Sequence, residues 1–190
     1  MRKRSLDYAL KYRLPVALFI VAASFALTFY VSRSERDGIG YAPGQPINFS
    51  HRLHAGQMAI DCKYCHTAVE KGRHAGIPSA DVCMNCHSYA RKDKPEIKKL
   101  YYYYNAGKPI PWKRVHQVPR YAYFNHSRHV NKGMQCYHCH DRVEWMEVVK
   151  QAKGFTMGDC VNCHRNAKEF MPEIANSINL GPTHCNTCHR

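Results

Sequence analysis

Beyond Val31 the sequence is poor in the residues that build an ordinary protein core. Leucine, isoleucine, valine and phenylalanine are sparse, and the 45% hydrophobic fraction of the 190 residues is supplied largely by 13 tyrosines, 10 cysteines and one apolar run near the N-terminus. An aliphatic interior is therefore missing, and domains in that position turn to disulfides, metals or cofactors. The length suits one domain with an appendage, which argues against a large enzyme with separate cofactor and substrate lobes. Acidic residues are few, 14 against 28 Lys and Arg, giving a formal charge of +14. Strand-like alternation is nearly absent, which leaves short helices and loops. No cysteine stands outside a repeated motif.

The apolar run, Leu14 to Val31, carries no charge. Its 18 residues at about 1.5 Å per residue reach roughly the thickness of the hydrocarbon layer, whereas the apolar region of a cleaved signal is usually shorter. Arg2, Lys3, Arg4, Lys11 and Arg13 precede it against a single Asp7, and a mixed Arg33, Glu35, Arg36, Asp37 follows. This bias predicts a transmembrane helix over 14–31, a cytoplasmic basic N-terminus over 1–13, and the remainder on the outer face. The alternative is a cleaved secretory signal, although the flank lacks a clear A-x-A site. Pro15 suits a first helical turn.

All ten cysteines fall in five copies of one pattern: Cys62-Lys-Tyr-Cys65-His66, Cys83-Met-Asn-Cys86-His87, Cys136-Tyr-His-Cys139-His140, Cys160-Val-Asn-Cys163-His164 and Cys185-Asn-Thr-Cys188-His189. C-x-x-C-H is the attachment signature of c-type haem: two thiols form thioethers with the porphyrin vinyls and the next imidazole reaches the iron. Zinc sites do not require His after every second Cys, and a disulfide scaffold does not require uniform spacing. The cysteines predict five covalently bound c-type haems, with His66, His87, His140, His164 and His189 as proximal iron ligands. The fold class expected is a multihaem cytochrome c, few short α-helices and loops wrapped around five haems, one N-terminal transmembrane helix and little or no β-structure.

Five of the 13 histidines are proximal, and His51, His54, His74, His116, His126, His129, His138 and His184 remain. That supply exceeds the five sixth ligands required, so no iron need stay open for substrate, which favours electron transfer over catalysis on a haem. An internal repeat selects among them. Phe49-Ser-His51-Arg-Leu-His54 precedes Cys62, and Phe124-Asn-His126-Ser-Arg-His129 precedes Cys136. Histidines three apart on one helical face cannot both reach the same side of one iron, so each pair is expected to serve two haems, the one that follows and one from elsewhere in the stack. His51, His54, His126 and His129 are the distal candidates, with His116 the fifth. Met146, Met157, His74 and His184 are weaker alternatives, and His138, inside a C-x-x-C loop, is badly placed.

The repeat divides the outer domain, 32–190, into two-haem modules at 49–87 and 124–164 and a fifth haem at 185–189. Between the modules, Lys94 to Tyr104 reads as a short helix. Its four consecutive tyrosines cannot all face one core, so some pack on a haem face and others meet a partner or the bilayer interface. Asp141 to Lys153 has Val143, Met146 and Val149 at helical period and reads as the best soluble helix. Gly38 to Pro46 and Gly72 to Ser79 read as loops. Two propionates per haem cancel about ten charges and each oxidised iron returns about one, leaving roughly +4 reduced and +9 oxidised. The basicity thus has a partner nearer than nucleic acid, which is not expected to bind.

The Phe-x-His-x-x-His module ahead of C-x-x-C-H resembles the class III multihaem cytochromes c, where the first His typically ligates the following haem and the second a distant one. The wider pattern is similar to the membrane-anchored pentahaem cytochrome c subunit of alternative complex III: the anchor, five motifs, Ala75-Gly-Ile-Pro-Ser before the second, Trp112 to His116, Met146-Glu-Val-Val, and Thr156-Met-Gly before the fourth. That resemblance implies an electron-transfer subunit, no enzyme by itself. It implies a bacterial inner membrane location with the haem domain on the periplasmic face, in a respiratory or photosynthetic chain. The implied partners are an iron–sulfur subunit, quinol-binding membrane subunits and a monohaem cytochrome c, with a downstream carrier or terminal oxidase, and membrane lipid. No quinol pocket is legible in this chain. The rivals are a free-standing quinol dehydrogenase feeding a periplasmic reductase and a haem-catalysed oxyanion reductase.

Overall fold

The computed structural model of the protein describes residues 7–31 and 38–190; Arg2, Lys3, Arg4 and the segment Arg33 to Asp37, whose charges entered the orientation argument, lie outside the described residues. The chain divides into two compact units, 1–37 and 38–190.

In the first unit, helix α1 (Leu14–Val31) is apolar all round, with no apolar stripe, and none of its residues is buried. Such a surface is stable only in a core or in lipid. The helical path begins before α1, with a wide turn at Ala9–Arg13 in which the Leu14 amide bonds the Ala9 carbonyl five residues back. Pro15 therefore lies within a continuous helix and not in its first turn. A proline lacks the amide that a regular turn would use, and a widened turn just before it absorbs the mismatch. The stretch Ala9–Val31, 23 residues, is long and apolar enough to cross a membrane, a test that a signal sequence also passes.

The second unit contains short helices and loops, with no strand among the described residues. Its helices are α2 (Cys62–Cys65), α3 (Ala80–His87), α4 (Pro95–Asn105), α5 (His126–Val130), α6 (Tyr137–His140), α7 (Met157–Arg165), α8 (Ala167–Phe170) and α9 (Cys185–Cys188). Their starts are local. Pro95 opens α4 at a position where its missing amide costs nothing. Asn125 caps α5 by accepting from the Ser127 amide, and Thr156 with Asp159 forms a reciprocal capping box on α7.

Two small apolar clusters hold the unit. Ile47, Met84, Leu100 and Ile110 pack with Trp112, Tyr101 and Tyr103, and Ala167, Met171 and Ile178 form the other. On α4, Leu100 faces inward and Tyr101 Oη donates to the His87 carbonyl at 3.1 Å, while Tyr102 and Tyr104 are exposed. The four tyrosines are thus shared between inside and outside, as the sequence suggests.

The stretch Asp141 to Lys153 is not a helix. Only a single tight turn, Val143–Trp145, forms, because Asp141 takes a left-handed φ of 59° and Met146 is extended. Its backbone groups are used elsewhere: the Met146 carbonyl accepts from Arg52 N at 3.0 Å, and Gln151 exchanges bonds with Gly40 and Tyr41 at 2.7 and 3.0 Å. A short helix is marginal alone, and these tertiary bonds outweigh the period.

Candidate haem-binding sites

Each C-x-x-C-H motif lies on a short helix, α2, α3, α6, α7 or α9, or begins one residue before it. One helical turn brings residues i and i+3 onto one face, so the two thiols of each motif stand side by side. All ten thiols are free; Cys62, Cys86, Cys136, Cys160 and Cys185 are exposed and their partners half-buried. Burial pushes the thiols of Cys65, Cys83, Cys139, Cys160 and Cys163 above their ordinary range.

The imidazoles share a second feature. Four proximal rings place Nδ1 against a backbone carbonyl: His66 on Gly76 at 2.6 Å, His87 on Ala90 at 3.1 Å, His164 on Pro182 at 2.7 Å and His189 on Tyr121 at 3.0 Å. Three of the distal candidates do the same, each at 2.8 Å: His54 on Ser50, His126 on Arg73 and His129 on Asn125. A carbonyl only accepts, so Nδ1 carries the proton and Nε2 is left with a bare lone pair. That is the tautomer and the orienting contact of a metal-binding histidine.

These rings face one another in pairs. The centroids are 6.2 Å apart for His54 and His87, 6.3 Å for His126 and His140, which are parallel within 5°, and 6.1 Å for His129 and His164. Two imidazoles on opposite sides of one metal, each about 2.0 Å from it with the centroid about 1.1 Å beyond the nitrogen, would stand about 6.2 Å apart. His51 and His66 are electrostatic neighbours. The repeat is reproduced in detail: Phe49 meets His51 edge-on at 4.8 Å and stacks on His54 at 4.3 Å, and Phe124 meets His126 edge-on at 4.8 Å and stacks on His129 at 4.6 Å. Burial, with neighbouring imidazoles adding to it, lowers His51 to about 4 and His140 to about 3, and burial also lowers His116 and His129.

The other candidates are placed differently. His116 packs edge-on against His140 at 4.4 Å, too close for an iron between them, and its Nε2 is buried without a partner, as are His51 Nδ1 and Trp112 Nε1. His189 stacks on Tyr121 at 5.8 Å. His138 is engaged by Glu173 at 2.8 Å through Nε2 and by Gln135 through Nδ1. His74 and His184 are exposed. Met157 is 71% exposed, and Met146 is half-buried in the extended segment beside Arg52.

Residues 30–110 match the class III cytochrome c family, and residues 122–190 match cytochrome c7 and related cytochrome c. The chain is 30% identical over 169 residues to the multihaem cytochrome c subunit of a menaquinone reductase from Nitratidesulfovibrio vulgaris, with 77% of each chain covered. The chain belongs to the multihaem cytochromes c. The two family matches lie on either side of residues 111–121 and so divide the cytochrome between its two histidine modules.

Membership in this family implies covalently bound c-type haem and a place in electron transport, and the residues present fit that cofactor. Paired free thiols, bare Nε2 atoms in facing pairs and two thin apolar clusters suit flat groups inserted between the elements. Among the described residues no three His, Cys, Asp or Glu side chains converge as a tetrahedral metal site would need. Sequence reasoning missed what orients the rings, because a backbone carbonyl has no side-chain signature. It also missed Arg73, whose guanidinium donates to the Phe124 and Ala122 carbonyls at 3.1 and 3.2 Å and covers the Tyr123 ring at 4.1 Å. The Gly181-Pro182 pair ahead of the fifth motif was a legible sign: a close approach of backbone to His164 needs a residue without Cβ.

Proposed function

We propose that the cytochrome is the electron-transfer subunit of a membrane quinone or quinol oxidoreductase, with one c-type haem at each of its five motifs. The observation that carries this reading is the set of three imidazole pairs, at the second, third and fourth motifs, spaced to hold an iron between them. Bound there, c-type haem supplies reversible one-electron exchange between ferrous and ferric iron. The cysteines hold it by thioethers. His66, His87, His140, His164 and His189 ligate from the proximal side, and His51, His54, His126 and His129 are the distal ligands of the first four motifs in that order. His116, with its buried free Nε2, is the remaining distal candidate. The Nδ1 bonds to backbone carbonyls keep the rings of His54, His66, His87, His126, His129, His164 and His189 turned and raise their basicity.

Helix α1 anchors the chain in the bacterial inner membrane, with the N-terminus cytoplasmic and the haem domain periplasmic. The relative is named for a menaquinone reductase, which supports a menaquinone-linked complex; the arrangement of motifs supports a complex of the alternative complex III kind. Neighbouring subunits, an iron–sulfur protein and quinone-binding membrane proteins among them, supply the quinone site, and a carrier or terminal oxidase exchanges electrons with the complex. The cytochrome is no enzyme by itself.

Pyridine haemochrome content and intact mass should give five haems per chain, and a value of two or three with bound zinc would end this reading. The chain should stay in membranes through alkaline carbonate washing, whereas a soluble form beginning near residue 34 would show that 14–31 is a signal. Mild-detergent purification from native membranes should bring an iron–sulfur subunit with it. Menaquinol oxidation by the isolated chain would favour instead a free-standing quinol dehydrogenase.

A further inference from the structure

We infer that the five attachment motifs lie in a single file in the order second, first, third, fourth, fifth, so that the second and fifth are its two ends. The inference rests on the five-haem reading above. Chain order alone would place the first motif at one end and the second beside the third; the contacts place the first motif between the second and the third.

The second motif meets the first directly. Asn85, inside the second, donates through Nδ2 to the hydroxyl of Tyr64, inside the first, at 3.0 Å, and the Cys83 thiol is an electrostatic neighbour of Cys65. On its other side the first motif meets the segment that carries the third. The loop that follows it offers the Arg73, Gly72 and Glu70 carbonyls to His126 N, Ser127 N and Asn131 Nδ2 at 3.3, 3.1 and 3.0 Å. The Cys62 thiol is within hydrogen-bonding reach of Cys136, and His66 is among the rings that act on His140. The first motif thus turns Cys65 toward one neighbour and Cys62 toward the other.

The third and fourth motifs share helix α5, which sets His126 opposite His140 and His129 opposite His164. Cys139 of the third motif neighbours Cys163 and Cys160 of the fourth, so the third also turns one thiol each way. The fourth and fifth are joined by the strand of chain entering the fifth. Gly181 N donates to the His164 carbonyl at 2.9 Å, His164 Nδ1 donates to Pro182, and Cys160 neighbours Cys188.

Several contacts run across the file: the Tyr123 amide donates to the Cys188 carbonyl at 2.6 Å and His189 Nδ1 donates to the Tyr121 carbonyl at 3.0 Å, on the segment whose Ala122 and Phe124 carbonyls accept from Arg73. Arg190 and Arg73 both cover the Tyr123 ring, at 4.9 and 4.1 Å, which brings the end of the chain near the loop after the first motif. These contacts tie the fifth motif to the segment leading into α5 and, through Arg73, to the loop beyond the first motif, while the ring of His189 turns to Tyr121.

In a single file the two ends are the places where a donor and an acceptor can each meet one terminal site, with the interior sites between them. The test uses the loaded full-length cytochrome in detergent. An experimental structure should give the shortest iron-to-iron distances for the pairs second–first, first–third, third–fourth and fourth–fifth. NMR of the haem methyl signals through stages of reduction by dithionite should show the strongest mutual potential shifts in the same pairs. A second motif lying beside the third, or a fifth lying beside the first to close a ring, overturns the order. Fewer than five haems by intact mass would overturn the reading beneath it instead, so the two failures are distinguishable.

Discussion

Replacing Gly181 by alanine tests how the fourth site is held. The Gly181 amide donates to the His164 carbonyl at 2.9 Å, and a Cβ added there would stand 2.7 Å from Cδ2 and 2.8 Å from Cβ of that histidine, where ordinary contact begins at 3.4 Å. Cγ of the ring is nearer still, so the ring would have to retreat by roughly 1 Å, and cores resist such overpacking at a cost of about 1–3 kcal/mol. Its path is restricted, since Nδ1 is bonded to Pro182 at 2.7 Å and the face opposite is set by His129 at 6.1 Å. Tenfold in a one-electron equilibrium is about 59 mV and about 1.36 kcal/mol, so each 1 kcal/mol that falls on one oxidation state moves a midpoint by about 43 mV. Gly181→Ala should therefore shift one haem by tens of millivolts and change one low-spin EPR signal, leaving the rest in place. Gly44→Ala, where a Cβ meets nothing within 4 Å, is the control. Unchanged spectra and potentials, or a shift spread over all the haems, would refute the placement of His164 against Gly181.

Arg73→Met removes two charged hydrogen bonds to the chain ahead of α5 and the cover of Tyr123; it should lower the urea stability of the holoprotein by about 1–3 kcal/mol, and an unchanged midpoint would show that Arg73 does not tie the modules. Thr156→Ala breaks the capping box of α7 and should cost about 1 kcal/mol, read as a fall in the thermal midpoint, with no fall counting against the cap. Glu96 accepts from Lys99 at 2.7 Å and from the Asn48 amide at 2.7 Å, and these contacts, Lys99 first, hold its carboxyl below the ordinary range. A carboxyl whose folded pKa is depressed contributes stability above its unfolded pKa and loses it as pH falls through the folded one. Glu96→Gln should therefore weaken the protein at pH 6.5 by under about 1 kcal/mol, as suits an exposed pair, and the gap from wild type should narrow at pH 3.5; a gap that widens in acid would contradict this.

The parts legible in the sequence are those written over short distances. Cys-x-x-Cys-His needs only one helical turn to become an attachment site, and Phe-x-His-x-x-His needs only one more to aim two rings apart, so a duplicated motif became a duplicated geometry around Phe49 and Phe124. The thin core was legible as well, because it is a matter of composition. Over Asp141 to Lys153 periodicity misled, since Val143, Met146 and Val149 keep helical spacing while the backbone bonds Arg52, Gly40 and Tyr41. The order of the motifs was hidden for a related reason: it depends on which loops hydrogen-bond, and the loop after the first motif meets α5, 53 residues on at His126, through the main-chain carbonyls of Arg73 and Gly72. His116 was chosen for its neighbourhood in sequence, and its packing against His140 is a fact of tertiary structure.

The small apolar clusters around Leu100 and Met171 bear on how such a protein is made. With so few side chains able to hide from water, the newly made chain has little reason to collapse before its cofactors arrive. It can stay extended and present each cysteine pair openly for haem attachment. Attachment and folding then become one event, in which every group added supplies the apolar surface that the next element needs. A chain that misses one attachment is left with a cleft where a wall should be, and it remains a substrate for proteases. Quality control is in that sense built into the composition, since the completed cofactor set is what distinguishes a finished molecule from an unfolded one.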